Sequence, residues 1–252
     1  MEIARMFLSL WLESPLQSWG CRSKFDRRDT LDFPTKSAIT GLICCALGKK
    51  EPDQKLIRRL TERPQVVIAY NRPYSSKLQK AKKMRSLHQL LDFHTVSVGY
   101  NEKDKWEKMQ ILTKEDGTKP QTSGKKLPSK LTYRYYLQNS FFGVIVSFEP
   151  EFAEEIASAL KNPIWDLYLG RKCCIPTDFI FRAISETEEE AEKILDEISK
   201  KKELARIFRV EEILDDKEFD YIDKELLVLY DVPDQFGWNR KYKSRLVEIK
   251  RC

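Results

Sequence analysis

The stretch PTKSAITGLICCALG, from Pro34 to Gly48, decides how the first third of the chain folds. Apolar residues recur within it at i, i+3, i+4, i+7 and i+8, and these are Ile39, Leu42, Ile43, Ala46 and Leu47. That spacing gives a helix one apolar face, and the proline near the start and the glycine just past the end are typical helix boundaries. The stretch therefore predicts an amphipathic α-helix.

A β-strand is predicted on each side of this helix. Before it, Ile3 to Leu12 alternates in polarity and is rich in β-forming residues, and Ser14-Pro15 is expected to end the strand. After it, a short polar helix from Asp53 to Glu62 precedes the apolar strand Gln65 to Tyr70. The first part of the chain is thus a βαβ unit.

The same pattern returns further along the chain. Leu131 to Phe148 has a β pattern, Glu151 to Leu160 a helical one, and Ile175 to Ile184 supplies a further strand. The order βαβ, insertion, βαβ is that of a ferredoxin-like or RRM-like core, so we expect an α+β fold. We assign residues 1–184 to this domain.

The insertion, at about residues 73–130, is long and basic. Between Arg72 and Arg134 there are fifteen Lys and Arg against six Asp and Glu, a net charge of +9, whereas the rest of the chain carries −3 of the total of +6. Ser, Thr, Gly and Pro are frequent around Thr118 to Ser129, which does not favour a packed core. A basic segment of this kind is typical of proteins that bind polyanions.

Residues 185–252 are expected to form a C-terminal helix followed by a small β-rich appendage. The helix opens at Ser185 with carboxylates and ends near Lys200 with lysines, an order that complements the helix dipole. We interpret both charge runs as a solvated helix. Three short strands and a turn at Phe236-Gly237 follow within Arg206 to Lys250.

Composition excludes several classes of protein. No apolar run reaches the roughly 20 residues that cross a bilayer, and no signal-peptide core follows Met1, so we expect a cytoplasmic protein without membrane contact. Six cysteines without a C-x-x-C spacing, and only two histidines, argue against a metal site. We expect no metal and no cofactor, and interpret Cys44 and Cys45 as small buried hydrophobic residues.

Two short segments carry residues suited to phosphate. The helix start at Lys36 and Ser37 offers free backbone N–H groups, a hydroxyl and a lysine, although an ordinary helix cap with a surface lysine is an equal alternative. Gly170, Arg171 and Lys172 combine a close backbone approach with two cations, and a plain turn is the alternative there.

Arg134 lies in the run Tyr133-Arg134-Tyr135-Tyr136, which resembles an aromatic and arginine surface on which bases stack. Alternation along a strand should turn Tyr133 and Tyr135 to one face and Arg134 and Tyr136 to the other. We expect a single nucleic-acid strand to lie across the sheet, clamped by the basic arm.

His94 lies inside the basic insertion and admits two interpretations. With a nearby lysine it could act as the base of a metal-independent ribonuclease. Stacking or hydrogen bonding to nucleic acid is the commoner role of such a histidine.

Five short motifs follow one another along the chain. They are SPLQSWG at Ser14 to Gly20, FPTKSAITGL at Phe33 to Leu42, DFHTV at Asp92 to Val96, RYYL at Arg134 to Leu137 and YLGRKCC at Tyr168 to Cys174. In content and order they closely resemble the CasD family, the Cas-family-five subunits of the type I-E CRISPR Cascade complex. The resemblance covers about Met1 to Ile184, with a looser match at Asp231-Val232-Pro233. The lysine-rich stretch Thr113 to Lys130 and the acidic helix after Ser185 depart from the family pattern.

The resemblance implies an RRM-like fold of the RAMP superfamily with a protruding thumb, which the basic insertion fits. It implies a non-catalytic subunit of a surveillance complex for antiviral defence, which binds the 5′ handle of the guide RNA (crRNA) and contacts a CasC-type backbone subunit and a CasA-type large subunit. The subunit would contact target DNA only indirectly, through the rest of the complex. Type I-C relatives are endoribonucleases that process precursor crRNA, so that activity, with His94 as its catalytic residue, is the alternative. The predicted RNA-binding residues are Gln17, Trp19, Arg27, Lys36, Ser37, His94, Arg134, Gly170, Arg171 and Lys172.

Overall fold

The computed structural model of the chain describes residues 4–21, 23, 26–72, 87–98, 127–214, 224–236 and 240–252, with the backbone alone at 96–98 and 127–130. The strands in these ranges are β1 Met6–Gln17, β2 Arg27–Arg28, β3 Gln65–Asn71, β4 His88–Val98, β5 Leu127–Phe148, β6 Phe181–Ser185, β7 Ala205–Ile213, β8 Glu225–Gln235 and β9 Lys241–Arg251. The helices are α1 Lys36–Ala46, α2 Gln54–Thr61, α3 Pro150–Lys161 and α4 Glu188–Lys201. Among the described residues, no helix combines the length and the apolar composition of a membrane-spanning segment.

One mostly antiparallel sheet organises the molecule, in the order β6-β1-β5-β3-β7-β9-β8, and β2 and β4 both pair with β5. The predicted mixed α and β architecture is therefore confirmed. Because β7 pairs with β3, the last three strands continue the same sheet. The predicted division at residues 184 and 185 stays a prediction.

Helix α1 forms where the apolar spacing predicts it. Thr35 caps its start by accepting a hydrogen bond from the Ala38 N–H, and Gly48 follows its end with φ +67°, in the left-handed region that glycine tolerates. Its buried Ile39 and Ile43 join the core beneath β1 and β5. Helix α2 lies within the predicted range, with Asp53 as its N-cap and Glu62 as its C-cap.

Strand β1 does not end at Ser14-Pro15, as expected, but runs on to Gln17. Beyond Leu10 it no longer pairs with β6, although it continues to pair with β5. The missing N–H of Pro15 is tolerated because proline can occupy a strand edge that carries no ladder.

Both faces of the central strands are covered. On one face Leu8 and Leu10 of β1 pack with residues of α1 and α3, including Phe152. On the other face Trp11 packs in a second cluster with Leu195 of α4. The expectation that a nucleic-acid strand lies across the core sheet is therefore wrong, because helices occupy both of its faces.

Gly143 of β5 allows α4 to lie this close. A Cβ at this position would lie 2.7 Å from the Leu195 Cδ1 atom. The acidic helix is thus a packed layer of the fold.

Candidate nucleic-acid interface

The first half of β5, up to the point where its ladder with β1 begins at Leu137, is flanked by two other strands. Strand β4 pairs with it antiparallel from His88 to Val98, and β2 pairs with it in parallel at Tyr133 and Arg134. We call these three strands, at residues 27–28, 88–98 and 127–138, the ribbon. Partners in the ladder share a face, so the ribbon has two faces of different chemistry.

One face of the ribbon is polar and cationic. Arg134 lies on it, opposite Asp92 of β4 and Arg28 of β2, and its side chain is exposed. Asp92 is engaged by His94, whose Nε2 atom lies 2.5 Å from the Asp92 Oδ1 atom. The guanidinium of Arg134 is therefore available to a ligand.

Arg171 is held at the same face. Its Nη2 atom donates a hydrogen bond to the Arg28 carbonyl oxygen at 3.0 Å, and its guanidinium carbon lies 4.5 Å from the Tyr136 ring centroid. Burial raises the pKa of the Tyr136 phenol above its ordinary value, although Arg171 opposes the shift, so the stacked ring stays neutral. The polar face thus brings together Arg28, Arg134 and Arg171, with exposed Lys172 next in the chain.

The turn that carries Arg171 is fixed by backbone contacts. Gly170 has φ +102°, and a Cβ there would lie 1.8 Å from the Ser18 carbonyl oxygen, so only glycine fits. Ser18 donates its N–H to the Leu169 carbonyl at 3.1 Å and its hydroxyl to the Tyr135 carbonyl at 3.2 Å. These hydrogen bonds tie the turn to the end of β1 and to the ribbon.

The opposite face of the ribbon is apolar. Leu91, Phe93 and Leu131 are 46%, 51% and 40% exposed. The rings of Phe93 and Tyr133 lie 5.1 Å apart between centroids. Arg27 donates to the Tyr135 hydroxyl at 2.8 Å with its guanidinium over that ring, so Arg27 lies on this apolar face.

Lys36 is not the surface cation that the sequence predicts. It is 4% exposed, and its Nζ atom bonds both Glu212 carboxylate oxygens at 2.8 and 2.9 Å. Its backbone N–H, at the start of α1, donates to the Asp231 carboxylate at 2.8 Å. The protein's own carboxylate thus occupies the anion position at the helix start, and the expectation of an exposed lysine is wrong.

The surroundings of Lys36 form a buried charge network. Arg245 makes two hydrogen bonds to Asp231 at 2.7 Å and lies 3.5 Å from Glu212. Burial lowers the pKa of the Lys36 ammonium, while Glu212 acts in the opposite direction. Ser37 lies beside this network, half-buried, with its hydroxyl 3.2 Å from the Thr35 hydroxyl. These residues join α1 to β7, β8 and β9.

The side chains of Gln17 and Trp19 are buried inside the protein. The Gln17 amide is buried and donates to the carbonyl oxygens of Leu12 and Ser140, and Trp19 is 1% exposed in the core. The expectation that these two side chains contact RNA is corrected by their burial. Gly170 shapes the turn that carries Arg171, and the side chain of His94 is exposed on the polar face of the ribbon.

Sequence reasoning missed Arg28 and strand β4. Strand β2 has only two residues, so it has no alternation to detect, and adjacent Arg27 and Arg28 were its only signal. Strand β4 does alternate, with Leu91 and Phe93 on one face and Asp92 and His94 on the other, but only the long-range ladder with β5 shows that this part of the basic insertion is a strand. The rest of the predicted basic thumb, at 73–86 and 99–126, lies outside the described residues.

The family described as CRISPR-associated protein (Cas_Cas5) matches residues 7–248 of the chain. The chain belongs to this Cas5 family. A curated relative of this Cas5 chain, the CRISPR system Cascade subunit CasD of Escherichia coli (strain K12), is 27% identical over 181 residues, which are 70% of each protein. The family prediction made from the five motifs is confirmed.

Two solved structures share the fold of this Cas5 chain. A chain of a "CRISPR RNA-guided surveillance complex" superposes with a TM-score of 0.65 and 24% identity, covering 97% of this chain and 89% of that one. A "Crystal structure of Cas protein" gives a TM-score of 0.56 and 23% identity, covering 97% and 94%.

Proposed function

We propose that this Cas5 chain is an RNA-binding subunit of a Cascade-type CRISPR surveillance complex and holds the 5′ handle of the crRNA. The observation that carries the proposal is the convergence of Arg28, Arg134 and Arg171 on one face of the ribbon. Arginines bind phosphate oxygens through several donors at once, and contacts of this kind position a nucleic-acid strand. The similarity to CasD over 70% of both proteins supports the same role.

The covered faces of the core support a path for the RNA along the ribbon. Helices occupy both sides of the central strands, so the strand of RNA runs along the polar face of the ribbon. There Arg134 and Lys172 reach solvent, while Arg171 is anchored by Tyr136 and the Arg28 carbonyl. His94, exposed on the same face, is placed to contact a base or a phosphate.

We propose that the core is ferredoxin-like and belongs to the RAMP group. The strand order β6-β1-β5-β3, with neighbours antiparallel and α1 and α3 packed on one face, supports this assignment. The basic segment at about 73–130 is then the thumb, of which β4 and the start of β5 are the described part.

The exposed side chains on the apolar face of the ribbon support the proposal that this face contacts another protein. Leu91, Phe93 and Leu131 expose large side chains next to one another in the ladder, as protein interfaces do. We assign this face to a CasC-type backbone subunit. The CasA-type large subunit is a further proposed partner, and target DNA is reached through the complex.

Binding of a synthetic crRNA with its handle, compared with an RNA of equal length whose handle is scrambled, tests the function. The proposal predicts tighter binding of the intact handle, and recovery of uncut repeat RNA after incubation in EDTA. Equal binding of both RNAs would contradict handle recognition. Site-specific cleavage that His94→Ala abolishes would establish the nuclease alternative instead.

A further inference from the structure

An open groove of about 660 Å³ lies between strand β6 and helix α4, away from the ribbon. Apolar Met6, Ile184 and Ile194 form part of its lining. The polar part consists of Ser185, Glu186, Glu190, Lys193 and Glu197.

The strand along this groove is an edge of the sheet. Among the described residues, β6 pairs with β1 alone, so its outer backbone groups have no ladder partner in that part of the chain. Such an edge can accept a further strand, whose main chain supplies the missing hydrogen bonds.

A second observation points to an incoming group. Ser185 lines the groove and is 6% exposed, yet its hydroxyl has no hydrogen-bond partner among the residues that the structure describes. A buried hydroxyl without a partner is costly, and rotation of the Ser185 side chain to another rotamer would let it meet a polar group of a docked segment.

The charge of the groove selects the kind of segment. Three carboxylates, those of Glu186, Glu190 and Glu197, face one ammonium, that of Lys193, and within the described ranges none of the three has an ion-pair partner. On the same helix, by contrast, Glu188 and Glu192 are engaged by Arg209 and Arg206. The groove therefore repels RNA and attracts a cationic chain.

We propose that this groove receives an extended, lysine- or arginine-bearing segment of a neighbouring protein subunit, which adds as a strand to β6. Its apolar side chains pack on Met6, Ile184 and Ile194, and its cations lie over Glu190 and Glu197. The inference rests on the proposed function, because membership of a complex provides the neighbouring subunit.

Charge reversal at the groove tests the proposal. The variant Glu190→Lys/Glu197→Lys is titrated into the remaining subunits assembled on crRNA. The control is Glu154→Lys/Glu155→Lys, which reverses two exposed carboxylates of α3. We expect incorporation of the groove variant to be about tenfold weaker and that of the control to stay within about twofold of the wild type. In the wild-type complex, the amides of β6 should gain protection from hydrogen exchange.

Equal incorporation of the two double variants, or unchanged exchange of β6, would overturn the inference. Because Glu190 also accepts a hydrogen bond from the Glu186 N–H, Glu197→Lys alone serves as a second variant that leaves this cap intact. Both double variants carry the same net charge and should bind crRNA equally well in isolation. A wild-type chain that neither binds crRNA nor incorporates would defeat the proposed function, and this inference would fall with it.

Discussion

The guanidinium carbon of Arg171 lies 4.5 Å from the centroid of the Tyr136 ring. This stacking orients a cation at the polar face of the ribbon, so removal of the ring should weaken RNA binding without removing a charge. We expect Tyr136→Leu to lower crRNA affinity about fivefold, the equivalent of about 1 kcal/mol of cation–π energy. Tyr136→Phe keeps the ring and should stay within about twofold. Fluorescence anisotropy measures both, and equal losses in the two variants would contradict the stacking role.

Gly170→Ala should destabilise the fold. The substituted residue would have to keep φ +102° and place its Cβ against the Ser18 carbonyl, so we expect a loss of more than about 2 kcal/mol in the free energy of unfolding. Gly41→Ala is the control, since nothing lies within 4 Å of a Cβ at that helical position, and it should stabilise the chain by about 0.5–1 kcal/mol. Urea unfolding gives both values. An unchanged Gly170→Ala midpoint would show that the turn relaxes freely.

Lys36→Ala should lower the free energy of unfolding and leave the affinity for crRNA unchanged. Removal of the ammonium leaves the buried Glu212 carboxylate with Arg245 at 3.5 Å as its remaining cation, and breaking such a pair costs about 3 kcal/mol. Lys172→Ala, at an exposed lysine, should change the free energy of unfolding by less than about 0.5 kcal/mol. If Lys36→Ala instead weakened crRNA binding and left the free energy of unfolding unchanged, Lys36 would contact RNA and would not stabilise the fold through the buried charge network.

Cysteine labelling provides a footprint of the interface. Cys173 is exposed beside Arg171, and its Sγ atom lies 3.6 Å from the Tyr136 hydroxyl, while Cys252 is exposed at the C-terminus. Burial raises the pKa of the Cys44 thiol to about 12, so Cys44 should not react with iodoacetamide at neutral pH. We expect saturating crRNA to slow alkylation of Cys173 and to leave Cys252 unaffected. Mass spectrometry of the labelled peptides measures both rates, and equal slowing, or none, would place the RNA elsewhere.

The sequence predicts the parts of the fold that local chemistry determines. Helix α1 follows from the apolar spacing between Ile39 and Leu47, and its bounds from Pro34 near the start and Gly48 past the end. The positions of Arg134 and Tyr136 on one face and Tyr133 and Tyr135 on the other follow from alternation alone.

Long-range partners determine the rest. Lys36 is buried because Glu212 and Asp231, from strands far along the chain, contact the start of α1. No local sequence pattern predicts these contacts. Likewise, α4 is amphipathic in the sequence, but only the packing of Leu195 against Gly143 shows that it covers the sheet.

The salt dependence of crRNA binding tests the central claim most directly. Each phosphate contact with a single strand contributes about 0.7 to the slope of log K against log salt concentration. We predict that Arg134→Ala and Arg171→Ala each lower the slope by about that amount, whereas Arg58→Ala, at an exposed arginine of α2, leaves it unchanged. Slopes equal to that of the wild type in both ribbon variants would contradict the assignment of RNA to the polar face of the ribbon.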